Sequence, residues 1–420
     1  MNEQHPLRIH NYRAYWIARF TTTIAVTSLT LVLGWQVYGL ARQSMEIHDA
    51  AFLLGMIGAV QFLPLFVLTP IVGLVADSFD RRWIARGTTT LLMVTAAFLA
   101  WLSMAGAMSL TALFGAAIVL GVTRAFAGPA YSALAPNLVP RESLPTAIAL
   151  SSIAWQVGTI AGPSLGGALL VVSAQTAYGT AAALMAVALV AVFLIGAVPQ
   201  PPAQADRRPL ARIADGFAYV RGNRLVLATI TLDLFAVLLA GATALLPVYA
   251  RDILHVGPTG LGLLSSGMGI GAAAMALLFS VRPLRHDVGN KMLLSVIIFG
   301  AAILCFGLSR SLWLSVGALI VAGAADMVSV YIRQSLIQLH TPDAMRGRVG
   351  AVSQLTISAS NELGEFESGI AAWLLGPVGA VVAGGVAAIA ITLAWARLFP
   401  ELRLAKTFDP PENPQTQPAE

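Results

Sequence analysis

The chain has 420 residues, 57% of them hydrophobic and only 11% charged, with 25 Lys and Arg against 20 Asp and Glu and a formal net charge of +5. That balance excludes an ordinary soluble domain, because a water-facing surface needs far more charge, and it requires much of the chain to face lipid. A single cysteine, Cys305, excludes a disulfide framework or a cysteine cluster.

Apolar stretches of about 20 residues, each able to cross about 30 Å of hydrocarbon as a helix, recur along the whole chain. In chain order the predicted spans are 14–38, 51–75, 84–106, 109–134, 147–172 and 177–198, then 225–247, 259–281, 291–309, 312–337, 349–374 and 380–398. The polar opening 2–13 runs straight into a full-length span without a short apolar region and small-residue cleavage site, so no cleaved signal is expected. Cys305 falls in the ninth span, where packing is its expected role.

One long break, carrying Pro199, Pro201, Pro202, Arg207, Arg208 and Pro209, separates six spans from six. The expected fold is an all-α membrane protein of twelve transmembrane helices in two pseudo-symmetric six-helix bundles. Its parts are a first half at 1–198, a linker at 199–223, a second half at 224–399 and a disordered tail at 400–420. Within the linker Leu210, Ile213, Phe217 and Val220 recur at helical spacing beside Arg212 and Arg221, which predicts an amphipathic helix lying at the interface.

Orientation follows from the basic residues, because Lys and Arg near helix ends are retained on the cytoplasmic side. With the N-terminus inside, 19 of the 25 fall in cytoplasmic segments, only Arg42, Arg251 and Arg310 fall outside, and Arg19, Arg124 and Arg333 lie within spans. Both termini are therefore expected in the cytoplasm, and the positive charge reflects topology and anionic lipid rather than nucleic acid.

The halves also repeat: Pro140 and Pro342, Gly162 and Gly364, and Gly167 and Gly369 all stand 202 residues apart, a register in which Arg124 faces Asp326. Arg124 lies about 22 Å into its span and Asp233 about 13 Å into the seventh. Charges at that depth need partners, either as a static ion pair between the halves or as a cavity set that couples protons or substrate. The eleventh span carries Asn361, Glu362, Glu365 and Glu367; Glu362 and Glu365 share a helix face, whereas Glu367 points nearly opposite. Two carboxylates at that spacing repel when both ionise, which suits proton capture, so Glu362 and Glu365 are preferred as proton carriers, with Asp326 and Asp233 as alternates and Arg124 assisting. Gln36, Gln61, Gln156 and Gln354, with Asn361, are the polar residues expected to line a substrate cavity.

Gly158, Gly162 and Gly166 repeat every four residues and so share one face, permitting close helix contact, while Pro163 removes a backbone donor. That face reads either as plain packing or as a hinge or seal. Asp77 ends the second span, where it serves as a latch, pairing with Arg81 or a helix N-terminus, or simply as part of a solvated turn.

The run from Gly73 to Arg82, with Asp77, Arg81 and Arg82, resembles the loop signature between the second and third helices of the major facilitator superfamily. Ser78 stands where that signature usually has a basic residue, and Asp80 where glycine is usual. Gly158 to Gly167, including Gly162, Pro163, Gly166 and Gly167, resembles the fifth-helix pattern of its antiporter and efflux members, and Arg124 to Ala130 resembles the proton-linked pattern of the fourth helix. Leu246-Pro247-Val248-Tyr249 and the stretch from His340 to Arg348 resemble the enterobactin-exporter branch. The resemblance implies gating roles for Asp77, Arg81, Arg82 and the fifth-helix residues. It also implies proton-driven export of an amphipathic small molecule, a siderophore or drug-like compound, by a monomer in the bacterial inner membrane. Uptake or facilitated diffusion, and a membrane sensor or scaffold that does not transport, are the alternatives.

Two enzyme-like patterns do not survive context. Gly162-Pro163-Ser164-Leu165-Gly166 reads as a nucleophile elbow but has no strand before it and no histidine near it. Gly267 to Ala272 matches a dinucleotide fingerprint without the βαβ unit that would give it meaning. No nucleotide loop or metal cluster is present in the sequence, so neither a cofactor nor direct ATP drive is expected.

Overall fold

The computed structural model describes residues 5–197 and 209–409; linker residues 199–208 and tail residues 410–420 lie outside the described residues. The first bundle consists of α1 (His10–Ala41), α2 (Ile47–Ser78), α3 (Arg81–Met104), α4 (Leu110–Leu134), α5 (Leu144–Val172) and α6 (Ala174–Phe193). After α7 (Pro209–Gly222) come α8 (Arg224–Leu239), the single turn α9 (Leu246–Val248), α10 (Gly257–Val281), α11 (Val288–Leu308), α12 (Leu312–Leu339), α13 (Asp343–Leu398) and the short α14 (Pro400–Leu404). Local sequence sets several starts. Ser109, Ser173 and Asn223 each accept a hydrogen bond from a backbone N–H in the first turn of the helix that follows, at 3.2, 3.0 and 3.1 Å.

Among the described residues, eleven helices are long and apolar enough to cross a membrane. The last of them, α13, has 56 residues, or about 84 Å at 1.5 Å per residue, far too long for one crossing. It breaks at Gly376, where φ is +75°, a left-handed conformation that glycine adopts without strain, and Pro377 follows. Two spans result, so the chain crosses twelve times. An even number of crossings puts both ends of the chain at one face, called here the terminal face. The predicted seventh span is also interrupted: α8 stops at Leu239, and Gly241, a 3-10 turn (Ala242–Leu245), α9 and a π turn (Tyr249–Ile253) carry the chain to the opposite face. Pro247, which cannot donate to the preceding turn, lies inside the interruption.

The 202-residue repeat is physical. A Cβ on Gly162 would fall 2.7 Å from the Ile24 carbonyl of α1, and one on Gly364 would fall 2.9 Å from the Val237 carbonyl of α8. Likewise, a Cβ on Gly167 would fall 2.9 Å from Cα of Gly262 on α10, and one on Gly369 would fall 2.6 Å from Cα of Gly55 on α2. The first pair of crossings holds each half together, and the second pair joins the halves. In lipid such contact comes from small residues that let backbones approach, not from hydrophobic exclusion.

Two expectations need correction. Residues 400–409 are ordered: Leu402 is fully buried, Gly289 N–H donates to the Ala405 carbonyl at 3.0 Å, and Phe408 packs edge-on against Tyr331. Burial of apolar side chains against α11 and α12 outweighs the polar composition there. Cys305 is exposed on the surface of α11 rather than packed inside. The linker helix forms, but its apolar stripe is divided: Val220 is buried against Val349 and Val352, whereas Phe217 is 48% exposed. The side chains of Leu210, Arg212 and Ile213 lie outside the described residues.

Candidate functional site

Between the halves lies a cavity of about 250 Å³. The first half contributes Thr27 and Thr30 from α1, Gln61 from α2, Arg124 from α4 and Pro163 from α5; the second contributes Thr243, Pro247, Ser265 from α10 and Glu365 from α13. The walls are otherwise apolar. Thr30 Oγ1 and Gln61 Oε1 are buried without a hydrogen-bond partner within the protein, and such groups favour a ligand or water that can bond to them.

Arg124 and Glu362 form an ion pair across the two halves. The Glu362 side chain is 7% exposed, while that of Arg124 is 43% exposed, so the carboxylate is sealed and the guanidinium keeps donors facing the cavity. Glu365, one turn on, lines the cavity itself. Its approach depends on Gly58, where a Cβ would fall 2.6 Å from Glu365 Cβ. One carboxylate, Glu362, bonds the guanidinium, and a second, Glu365, stands one turn along the same helix at the cavity wall. The Arg124–Asp326 pairing suggested by the repeat is not formed, because the repeat relates positions by symmetry, and symmetry-related positions need not touch.

Asp233 instead pairs with Arg333 inside the second half, at 5% and 3% exposure, with Asp326 beside them. Arg333 was legible only as a basic residue within a span; its position seven residues after Asp326, on the same helix face, is the signal that pairs it with this cluster. Gln156 donates to the Gly269 carbonyl at 3.1 Å, bridging α5 and α10 between the halves. Gln36, Gln156, Gln354 and Asn361 are not among the cavity-lining residues.

The gating candidates separate. Gly158, Gly162 and Gly166 face Thr23, Thr27 and Ser28 of α1 within one half, whereas Gly167 meets α10 of the other. Arg82 bonds Asp80 at 2.6 Å, and its N–H is capped by Asp80 Oδ1 at 2.9 Å. The Arg82 guanidinium holds the Asp80 carboxyl below its ordinary value. Arg82 also donates to the Ile195 carbonyl at 3.4 Å, just past α6. The Asp77 side chain lies outside the described residues, and with it any pairing to Arg81.

Sequence reasoning missed a cluster at the face away from the termini. Tyr38 and Arg42, at the end of α1, both bond Asp252 of the second half, Arg42 at 3.4 Å. Asp49 accepts from Trp373 Nε1 at 3.0 Å, His48 Nδ1 lies 3.0 Å from the Trp373 carbonyl, and the Arg251 guanidinium lies 5.8 Å from the centroid of the Trp35 ring. Among the described residues, ion pairs between halves occur at that face and at Arg124–Glu362, and none occurs at the terminal face. Arg42 and Arg251, among the few arginines expected on that side, entered the sequence reading only as topology markers.

The MFS_3 family model, described as transmembrane secretion effector, matches residues 2–415. The chain belongs to this family of the major facilitator superfamily, whose members are transporters and not enzymes. Over 413 residues it is 26% identical to the enterobactin exporter EntS of Citrobacter koseri, covering 97% of this chain and 95% of that one. A solved peptide transporter, POT, matches the fold with a TM-score of 0.75 at 14% identity over 97% of both chains. A D-xylose-proton symporter matches with a TM-score of 0.71 at 15% identity over 94% of this chain and 98% of that one.

Proposed function

We propose that the protein exports an amphipathic, hydroxyl-bearing, anionic small molecule from the cytoplasm in exchange for protons, by alternating access across the bacterial inner membrane. The observation that carries the reading is the Arg124–Glu362 pair beside Glu365 at the cavity between the halves. An anionic group on the substrate bonds the Arg124 donors that face the cavity, while Glu362 keeps its own bond to that guanidinium. Hydroxyls of the substrate donate to the ionised Glu365 at the cavity wall, and a proton taken up by that carboxylate removes the charge that makes those bonds strong and releases the cargo. Substrate loaded from inside and protons loaded from outside then exclude one another, which is antiport. Both termini are cytoplasmic, so the cluster around Asp252 is the closed outer gate and the cavity is reached from the cytoplasm. The enterobactin exporters among its relatives support siderophore-like cargo.

The test is reconstitution in liposomes with an imposed pH gradient and a mixture of metabolites and catecholate siderophores. Movement of a compound opposite to proton flow is expected. Movement in the same direction as protons, as the D-xylose-proton symporter's name describes for that protein, replaces export by uptake. Equilibration that ignores the gradient replaces antiport by facilitated diffusion, and no movement or counterflow of any compound leaves a sensor or scaffold.

A further inference from the structure

A second group of charges, with Asp233 and Arg333 buried and Asp326 half-buried, lies outside the substrate cavity. Asp326, Ser329 and Arg333 occupy one face of α12 at spacings of three and four residues, and Asp233 faces them from α8. Asp233, Asp326 and Ser329 line a pocket of about 10 Å³, closed otherwise by apolar residues such as Val296 and Phe299 of α11. That is the space of about one water. Its lining shares no residue with that of the substrate cavity.

Charge does not balance there. Asp233 is bonded to Arg333, which leaves the Asp326 carboxylate as the excess negative group. The neighbouring helices offer no remedy. The other charged residues are Arg224 at the start of α8, bonded to Glu401, and Lys291 near the start of α11; α10 has none. On α13, Glu362 is bonded to Arg124, Glu365 lines the cavity and Glu367 is a further acid, while near the helix ends Arg346 is bonded to Asp343, Arg348 to Asp215, and Arg397 is exposed. An isolated carboxylate in such surroundings binds a cation or a proton rather than remain uncompensated. An independent feature points to a ligand: the hydroxyl of Ser329, 3% exposed, lines the pocket and has no hydrogen-bond partner.

We propose that Asp326, with Ser329 and the Asp233–Arg333 pair, forms a second site in this half of the protein that takes one proton. The proton passes from hydronium to an Asp326 carboxylate oxygen, one hydronium O–H bond breaking as the carboxylic O–H forms and leaving a neutral water, and Ser329 accepts from the resulting acid directly or through that water. A space of about 10 Å³ favours a proton over a metal ion, because it has no room for the six or more oxygen ligands that a hard cation gathers. Only the site's use in the transport cycle rests on the proton-coupled reading; its existence does not.

Infrared difference spectra of the purified full-length protein across a pH step test this directly. A carboxylic C=O band is expected that persists in the Glu362→Gln/Glu365→Gln variant, disappears in Asp326→Asn and shifts in Ser329→Ala, which leaves the ion pair intact. Loss of the band in the double Glu variant, or its survival with Asp326 replaced, overturns the proposal. So does its removal by sodium at constant pH, which makes the site a sodium site. If Asp326→Asn does not fold, the Ser329→Ala shift decides. A band that obeys these rules while liposome transport ignores the pH gradient keeps this site and removes the antiport reading.

Discussion

Arg124 and Glu362 stand 238 positions apart in the chain and in different halves, yet their side chains bond inside the membrane. Breaking such a pair by removing one partner is costly because the other charge is left buried, about 3–5 kcal/mol. Arg124→Ala is therefore expected to lower the thermal midpoint in detergent, and adding Glu362→Gln to restore much of the loss. A double variant no more stable than Arg124→Ala alone removes the pair as a stabilising contact.

Glu362→Gln and Glu365→Gln mimic the protonated acids. Each should abolish accumulation driven by a pH gradient, while substrate exchange at equal pH persists within about twofold of the parent rate, because the amides still fill the space and bond. If gradient-driven transport survives in the double variant and fails only in Asp326→Asn or Asp233→Asn, coupling resides in α12 and α8 instead.

Tyr38→Phe and Asp252→Asn should loosen the face away from the termini. A hydrogen bond to a charged group contributes about 1.5–3 kcal/mol, enough to shift a two-state equilibrium about tenfold or more. With Cys305 replaced by serine and a cysteine placed at Thr30, labelling by a thiol reagent added to that face should accelerate accordingly. Equal rates in parent and variants exclude these residues from the gate.

The crossings between halves admit no side chain. A Cβ on Gly55 would fall 2.5 Å from Cα of Gly369, whereas one on Gly179 would meet nothing within 4 Å. Gly55→Ala and Gly167→Ala should reduce transport at least about tenfold, with membrane insertion unchanged, by forcing α2 from α13 and α5 from α10. Gly179→Ala serves as the control. Normal transport by both variants shows that the crossings yield without consequence.

Asp80 gives a pH dependence with a definite sign. Its carboxyl is held below the ordinary value of 3.8 by Arg82 and by the first turn of α3, so its stabilisation is complete above that value and is lost as pH falls through the lower folded value. The difference in thermal midpoint between the parent and Asp80→Ala, corresponding to roughly 1 kcal/mol for a lost cap, should be constant from pH 5 to 8 and shrink under strong acid. A difference that grows on acidification contradicts the assignment.

Twelve crossings, the division into halves and the repeat were legible in the sequence because lipid imposes long apolar runs and because glycines mark close helix contact. Glu362, Glu365 and Arg124 were legible as charges that could not face lipid. Their pairing was not, since residues 238 positions apart meet only because α2, which packs on α4, also packs on α13 of the other half. The Asp252 cluster was hidden for a different reason: Tyr38, Asp49 and Trp373 are ordinary residues at a membrane boundary, and nothing local separates a gate from an interfacial anchor. The ordered stretch 400–409 was hidden by its composition, which reads as polar while one leucine and one phenylalanine do the packing.

Tyr38, Arg42, His48 and Asp49 all belong to one hairpin, the end of α1 and the start of α2 with a short turn between. Their partners, Asp252 and Trp373, belong to the other half. A rotation of the first half carries the four residues as one body, so these bonds cannot be surrendered one at a time. Under the proposed alternating access the switch is a toggle, with a threshold that must be exceeded in one step and little occupancy of partly opened forms. In the proposed antiport cycle such a gate leaks little, because no half-released arrangement persists long enough to pass protons and cargo together.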